Sequence, residues 1–327
     1  MNGPIIQMNN MTKVYKVHHR EEGFWNSFKS VFNRKYKMVE AVSGINLRIN
    51  KGEIRGLIGP NGAGKSTTIK IMSGVLHPST GEVTALGMVP WQERERFVRN
   101  LGIVFGQKSQ LWWDLPAVDT FALQKEMFHI PAEAYAERLS YLARLLKIED
   151  VMTKPVRQLS LGERMKCELV CALLHEPPLI FLDEPTIGMD VISKETMRQF
   201  IKQVNREKGT TFIITTHDLG DLEDLCEKVT IINKGTVVYD DTLDNLSRYF
   251  NDKKLIEVKF IRPVTREMLE GFDVKSFDPM LATLEIELQE GETIQTVINE
   301  IFNRLPVKDI NINNIKIEEV IKQIYSA

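Results

Sequence analysis

Residues 59–66 read Gly59-Pro60-Asn61-Gly62-Ala63-Gly64-Lys65-Ser66, which is a G-x-x-x-x-G-K-S spacing. Glycines at these positions let the backbone fold around an anion and present N–H groups to it. Lys65 can reach the outer phosphates of a nucleotide, and the Ser66 hydroxyl is an oxygen placed to ligate magnesium. Two further groups bear on the same chemistry. Asp183 and Glu184 close the apolar run Leu179-Ile180-Phe181-Leu182. A carboxylate there suits a magnesium ion held through water, and the next carboxylate can polarise an attacking water. His217 closes a second apolar run, Phe212-Ile213-Ile214. Taken singly, Glu184 before Pro185 reads as a surface carboxylate and His217 as a histidine holding a turn. Their shared position beyond apolar strands is what links them to residues 59–66.

The elements around these residues fit that placement. Glu53–Ile58 reads as a short strand entering the glycine-rich loop, and Thr67–Met72 as the first turns of a helix leaving it. The free N–H groups and dipole of a helix start favour an anion. Leu179–Leu182 and Phe212–Ile214 read as buried parallel strands, joined by a crossover helix from Lys194 to Lys208 that Gly209 ends. Open α/β sheets bind ligands beyond the carboxyl ends of their strands, so the three motifs are expected to face one crevice. Pro4–Met11 and Val39–Ile49 are expected strands, Gly102–Gly106 holds another, and Pro116–Leu146 and Gly162–Leu174 carry helical patterns. Between them, Ser160 with Glu163 three residues on forms a capping box, which also leaves an anion-binding helix start.

Taken in order, the phosphate loop, Gln107, Leu159-Ser160-Leu161-Gly162-Glu163, Leu179–Glu184, Asp190 and His217 resemble the ATP-binding cassette of ABC transporters. The resemblance covers about residues 5–250. It implies an α/β fold of the P-loop NTPase class, with a RecA-like core sheet and a helical subdomain at about 108–176. It also implies roles. Gly59 to Thr67 would hold the phosphates, with Ser66, Gln107 and Asp183 on magnesium. Tyr15 would stack on adenine, although Tyr36 is also available. Ser160 and Gly162 would touch the γ-phosphate held by the opposite subunit, and Asp190 would link the two sites. Glu184 would be the catalytic base and His217 the γ-phosphate switch. The implied enzyme is an ATP hydrolase whose head-to-tail dimer, homo- or heteromeric, closes on two Mg-ATP and drives separate membrane subunits from the cytoplasmic face. Gly106-Gln107 followed by Leu111-Trp112-Trp113-Asp114-Leu115, together with Thr186-Ile187-Gly188-Met189-Asp190, resemble the drug and polysaccharide exporter class. Leu161 and Glu163 depart from the usual Gly and Gln of the signature. Glu163 is expected to turn back into its capping box, away from any triphosphate. Trp112 and Trp113 either pack inside the helical subdomain or line a groove for a membrane partner.

Composition narrows the alternatives. The chain has 327 residues, 43% hydrophobic and 26% charged, with a formal net charge of -2. That suits about two globular domains and offers no basic field for nucleic acid. A soluble ABC ATPase on ribosomes or DNA is the alternative class, but such proteins carry a second cassette or a long coiled coil. A non-hydrolysing regulatory switch is opposed by the presence of both Glu184 and His217. No signal-peptide pattern and no apolar run of membrane-spanning length is expected. Cys167, Cys171 and Cys226 read as buried thiols of a reducing compartment. Residues 251–327 are expected to form a separate α/β accessory domain, with strands at Leu255–Phe260, Leu284–Leu288 and Val307–Ile312 and helices at Thr293–Leu305 and Ile317–Tyr325. An insert at 17–38 carries Phe24, Phe28 and Val31 on one helical stripe with a local excess of basic residues. It reads either as a membrane-facing segment or as a hairpin packed on the protein itself.

Overall fold

The computed structural model describes residues 3–18, 36–106, 108–216, 218–248, 253–287, 293–314, 321 and 324–325. The first four strands are β1 (Ile6–His18), β2 (Tyr36–Ile49), β3 (Ile54–Ile58) and β4 (Thr80–Ala85). β2, β1 and β4 form an antiparallel sheet in that order. β1 buries Ile6, Met8 and Met11 and shifts register between Met8 and Met11, where Asn10 takes a left-handed φ of 47°. That is the signature of a β-bulge. β1 runs well past the expected end at Met11. Its last pairs are Val17 with Lys37 and His18 with Tyr36, so both ends of the expected insert are strand. The stripe of Phe24, Phe28 and Val31 lies outside the described residues.

The larger sheet is built from β3 and five later strands: β5 (Leu101–Phe105), β6 (Leu179–Asp183), β7 (Thr211–Thr215), β8 (Lys228–Asn233) and β9 (Thr236–Thr242). Their order is β5-β6-β7-β3-β8-β9, and β5 through β8 pair in parallel with their neighbours. β6 and β7 carry the buried apolar runs Leu179–Leu182 and Phe212–Ile214 because both faces are covered. Their carboxyl ends, at Asp183 and Thr215, lie side by side in register. The crossover between them is the helix Val191–Lys208, capped by Asp190 and ended by Gly209 at φ 66°. It buries Met197, Phe200, Ile201 and Val204 on one face.

The helical region is Ala117–Met127, Ala132–Leu146 and Leu161–Leu173. The single pattern expected over Pro116–Leu146 is thus two helices. Pro131 caps the second and His129 turns the chain at φ 51°, which breaks the run.

The chain divides into two compact units, 1–241 and 242–327. The second has the antiparallel order β11-β12-β10-β13, from β10 (Lys253–Phe260), β11 (Asp273–Asp278), β12 (Leu281–Glu287) and β13 (Val307–Asn314). That is the strand order of a split β-α-β arrangement. The helix Ile294–Arg304 buries Val297 and Ile301 in the same core as Ile256, Val258, Phe260, Ala282 and Leu284. Most of the expected helix Ile317–Tyr325 lies outside the described residues.

Candidate functional site

The loop after β3 is shaped by glycine. Gly62 and Gly64 have φ of 80° and 107°, a region that L side chains enter at a cost. A Cβ on Gly59 would sit 2.1 Å from the Ile232 carbonyl oxygen, and one on Gly64 would sit 2.6 Å from that of Ala41. The loop is held by Ala63 N–H donating to Pro60 O at 3.1 Å and Gly235 N–H to Ala63 O at 3.0 Å. Lys65 is 8% exposed and donates from Nζ to Gly59 O at 2.6 Å and Pro60 O at 3.1 Å. Burial pulls its pKa down, while the charges of Glu184 and Asp183 oppose that.

A cavity of about 360 Å³ opens here, lined by residues 61–67, Ala41, Gly106, Asp183, Glu184 and Ile187. Asp183 and Glu184 therefore share one space with the loop. Thr215 at the end of β7 organises both acids. Its hydroxyl donates to Asp183 Oδ1 at 2.6 Å, and its oxygen accepts Glu184 N–H at 3.0 Å. Glu184 sits at φ 53°. One buried ammonium, one loop of backbone N–H groups, the Ser66 hydroxyl and two carboxylates on a single cavity fit a polyphosphate with a hard cation.

The ABC transporter family pattern matches residues 42–187. The chain is 32% identical over 215 residues to the ABC transporter ATP-binding protein NatA of Bacillus subtilis, covering 66% of this chain and 87% of NatA. The chain belongs to the ABC transporter ATP-binding proteins. It is the ATP-binding, ATP-hydrolysing subunit of such a transporter. It is also 33% identical over 215 residues to the probable multidrug ABC transporter ATP-binding protein YbhF of Escherichia coli, of which it spans only 36%. A solved ATP-binding subunit of an ABC transporter superposes on 75% of the chain and 93% of its own length, with a TM-score of 0.63 and 25% identity.

The remaining motif residues of this ABC cassette fall in different places. The Tyr15 hydroxyl is 3.5 Å from Thr67 Oγ1, beside the first turn of the Lys65–Met72 helix. Tyr36 pairs farther along the hairpin, opposite His18, with Lys16 Nζ 4.1 Å from its ring centre. Gln107 and His217 lie outside the described residues. Ser160, Gly162 and Asp190 do not line the cavity. Gly162 and Asp190 meet instead at Ser193, and Ser160 caps the helix that carries Gly162. A Cβ on Gly162 would meet Ser193 Oγ at 3.3 Å, and Asp190 accepts Ser193 N–H at 2.9 Å. Ser160 forms the capping box: it accepts Glu163 N–H at 3.2 Å, and Glu163 accepts Ser160 N–H at 2.8 Å. Those bonds lower the Glu163 pKa and turn its carboxylate back onto its own helix. Leu161, the other departure in the signature, packs on Gly188. Trp112 and Trp113 are 54% and 55% exposed, which removes the reading in which they pack inside the helical region.

Sequence reasoning missed Thr215 and a buried carboxylate, Asp221. Asp221 is 1% exposed, accepts from Thr186 Oγ1, and takes Arg198 NH1 at 3.1 Å. It thereby ties the segment after Glu184 to the Leu219–Leu225 helix. No local pattern announces such a contact, since its partners lie far apart in the chain. Among the described residues no group of three or more His, Cys, Asp or Glu could hold a metal by itself. No described helix is long and apolar enough to cross a membrane.

Proposed function

We propose that the cavity beside Gly59–Ser66 is the ATP site and that this chain works as one of two ATPase subunits at the cytoplasmic face of a membrane. The observation that carries the reading is that the phosphate loop, Asp183 and Glu184 line one cavity. In this reading Lys65 and the loop N–H groups hold the phosphates, and Tyr15 packs on the base. Ser66, Gln107 and Asp183 hold Mg²⁺, which would draw charge from the phosphate oxygens. Glu184 takes the proton of the attacking water, with His217 on the γ-phosphate. Ser160, Gly162 and Asp190 act on the nucleotide of the second subunit, which is supported by their lying away from this chain's own cavity.

Separate membrane subunits receive the motion, and the exposed Trp112 and Trp113 suit their docking groove. Export is the direction favoured by the similarity to YbhF, which is named as a probable multidrug protein. Residues 242–327 act as an accessory domain outside the ATP site. Binding of a fluorescent ATP analogue, with and without Mg²⁺, tests the reading. Mg²⁺-dependent saturation that Lys65→Ala weakens is the expected result, and binding indifferent to Lys65 overturns it.

A further inference from the structure

Glu168 lies in the middle of the Leu161–Leu173 helix and is 3% exposed. A carboxylate buried this far is costly unless its oxygens are bonded. They are bonded, by the loop that follows β5. The Ser109 hydroxyl donates to Oε1, and the Gln110 backbone N–H lies 3.1 Å from each carboxylate oxygen. The Ser109 oxygen in turn accepts Leu111 N–H at 3.1 Å. Farther back, the Gln110 side chain donates to Ile103 O at 2.7 Å, and Gly106 N–H donates to Asp183 O at 3.1 Å. Gly106 lines the ATP cavity. The loop is therefore fastened to the cavity wall at one end and to Glu168 at the other. Glu168 lies eight residues along the helix from its cap Ser160, about 12 Å at the α-helical rise. An apolar side chain of similar size would fill the place at less cost, so the carboxylate adds connection rather than packing.

We propose that Glu168 is a positioning residue for ATP turnover. It locks the Ser109–Gln110 loop to the helix that begins at Ser160, so that the cavity wall and the exposed helix start keep one relative placement. The proposal rests on the reading above in which Ser160 serves the nucleotide of a second subunit. ATP binding by residues 61–67 does not pass through this link, whereas turnover needs both places set together.

The test uses the full-length protein and measures analogue affinity, melting temperature, kcat and KM for Glu168→Gln, Ser109→Ala, the double variant and Ser160→Ala. Glutamine keeps the size of Glu168 but turns an N–H₂ toward donors that need an acceptor. Expected for Glu168→Gln is a kcat about tenfold lower, with affinity and KM within about twofold of wild type. Ser109→Ala lowers kcat about threefold, and the double variant is no worse than Glu168→Gln, because the two residues act as one pair. Ser109 is at the surface, so its variant decides the matter even if Glu168→Gln does not fold. Unchanged kcat in a folded single variant, losses that multiply in the double variant, or a loss confined to affinity or KM each overturn the proposal. Wild-type turnover in Ser160→Ala overturns the reading of Ser160 instead, so the two failures are distinguishable.

Discussion

The Thr215 hydroxyl donates a hydrogen bond to Asp183 Oδ1 at 2.6 Å and accepts one from the Glu184 backbone N–H at 3.0 Å. One side chain on β7 thus fixes two consecutive acids at the end of β6. The second of these acids has a left-handed backbone, φ 53°, that a non-glycine residue holds only when its surroundings impose it. The β6–β7 register that sets Asp183 opposite Thr215 supplies that constraint.

Thr215→Val keeps the shape of the side chain and removes both bonds. Asp183 loses its donor, and Glu184 loses one of the two acceptors of its N–H, keeping Thr215 O at 3.1 Å. The expected result is a kcat at least about tenfold lower, with nucleotide affinity changed by less than about threefold, because residues 61–67 are untouched. Steady-state ATPase kinetics alongside analogue titration separate the two quantities. A loss in affinity alone contradicts the argument.

Lys65 and Glu184 line the same cavity and are expected to fail differently. In the proposed reading Lys65 meets phosphate in the ground state, so Lys65→Ala is expected to raise the Kd for ATP about tenfold or more. Glu184→Gln leaves binding near wild type, abolishes turnover and holds the subunits together with ATP. Size-exclusion chromatography with ATP and Mg²⁺ reads the second outcome as an earlier-eluting species. A Glu184→Gln protein that turns over at the wild-type rate rules out its role as base.

The unit 242–327 has its own core around Val258, Phe260, Leu284 and Ile301. Every described residue lining the cavity beside Lys65 belongs to 1–241. A chain ending at Asp241 is therefore expected to bind a fluorescent ATP analogue within about threefold of the full-length affinity. A folded truncation that fails to bind would place the second unit in the ATP site.

The sequence made legible what depends on neighbours in the chain. The strand, loop and helix around Lys65 read from one contiguous stretch, as does the Ser160–Glu163 capping box with its inward-turned carboxylate. The apolar runs of β6 and β7 announced strands buried on both faces. What stayed hidden depends on partners distant in sequence. Thr215 acts on a residue 32 positions away, and Glu168 on one 59 away. β11 went unread because its burial alternates poorly and its register shifts between Val274 and Ser276. The length of β1 is set by its pairing with Tyr36–Met38 across a long connection, which periodicity in β1 alone does not reveal.

His175 is expected to make the folded cassette sensitive to acid. Its ring stacks on Phe128, with centroids 3.9 Å apart and planes 13° from parallel. Nε2 lies 3.1 Å from the Leu101 carbonyl oxygen and must therefore carry the proton, while buried Nδ1 has no partner. A second proton would go to Nδ1, where nothing accepts it. Burial accordingly pulls the pKa from the ordinary 6.5 down to about 4, with Arg138 adding to the effect and the Leu101 carbonyl opposing it. Since the folded value lies below the unfolded one, the unfolded chain binds more protons between these limits, and stability falls as pH falls through that window. The full span corresponds to about 3 kcal/mol, of which about 1 kcal/mol is lost between roughly pH 7.5 and pH 5.5. Above about pH 8 the residue is neutral in both states and contributes no slope. Urea unfolding of the wild type and of His175→Gln at the two pH values measures the difference. Glutamine can donate to Leu101 without titrating, so its stability is expected to fall about 1 kcal/mol less than that of the wild type over the same interval. Parallel losses in the two proteins would mean that His175 is not the group that takes up the proton.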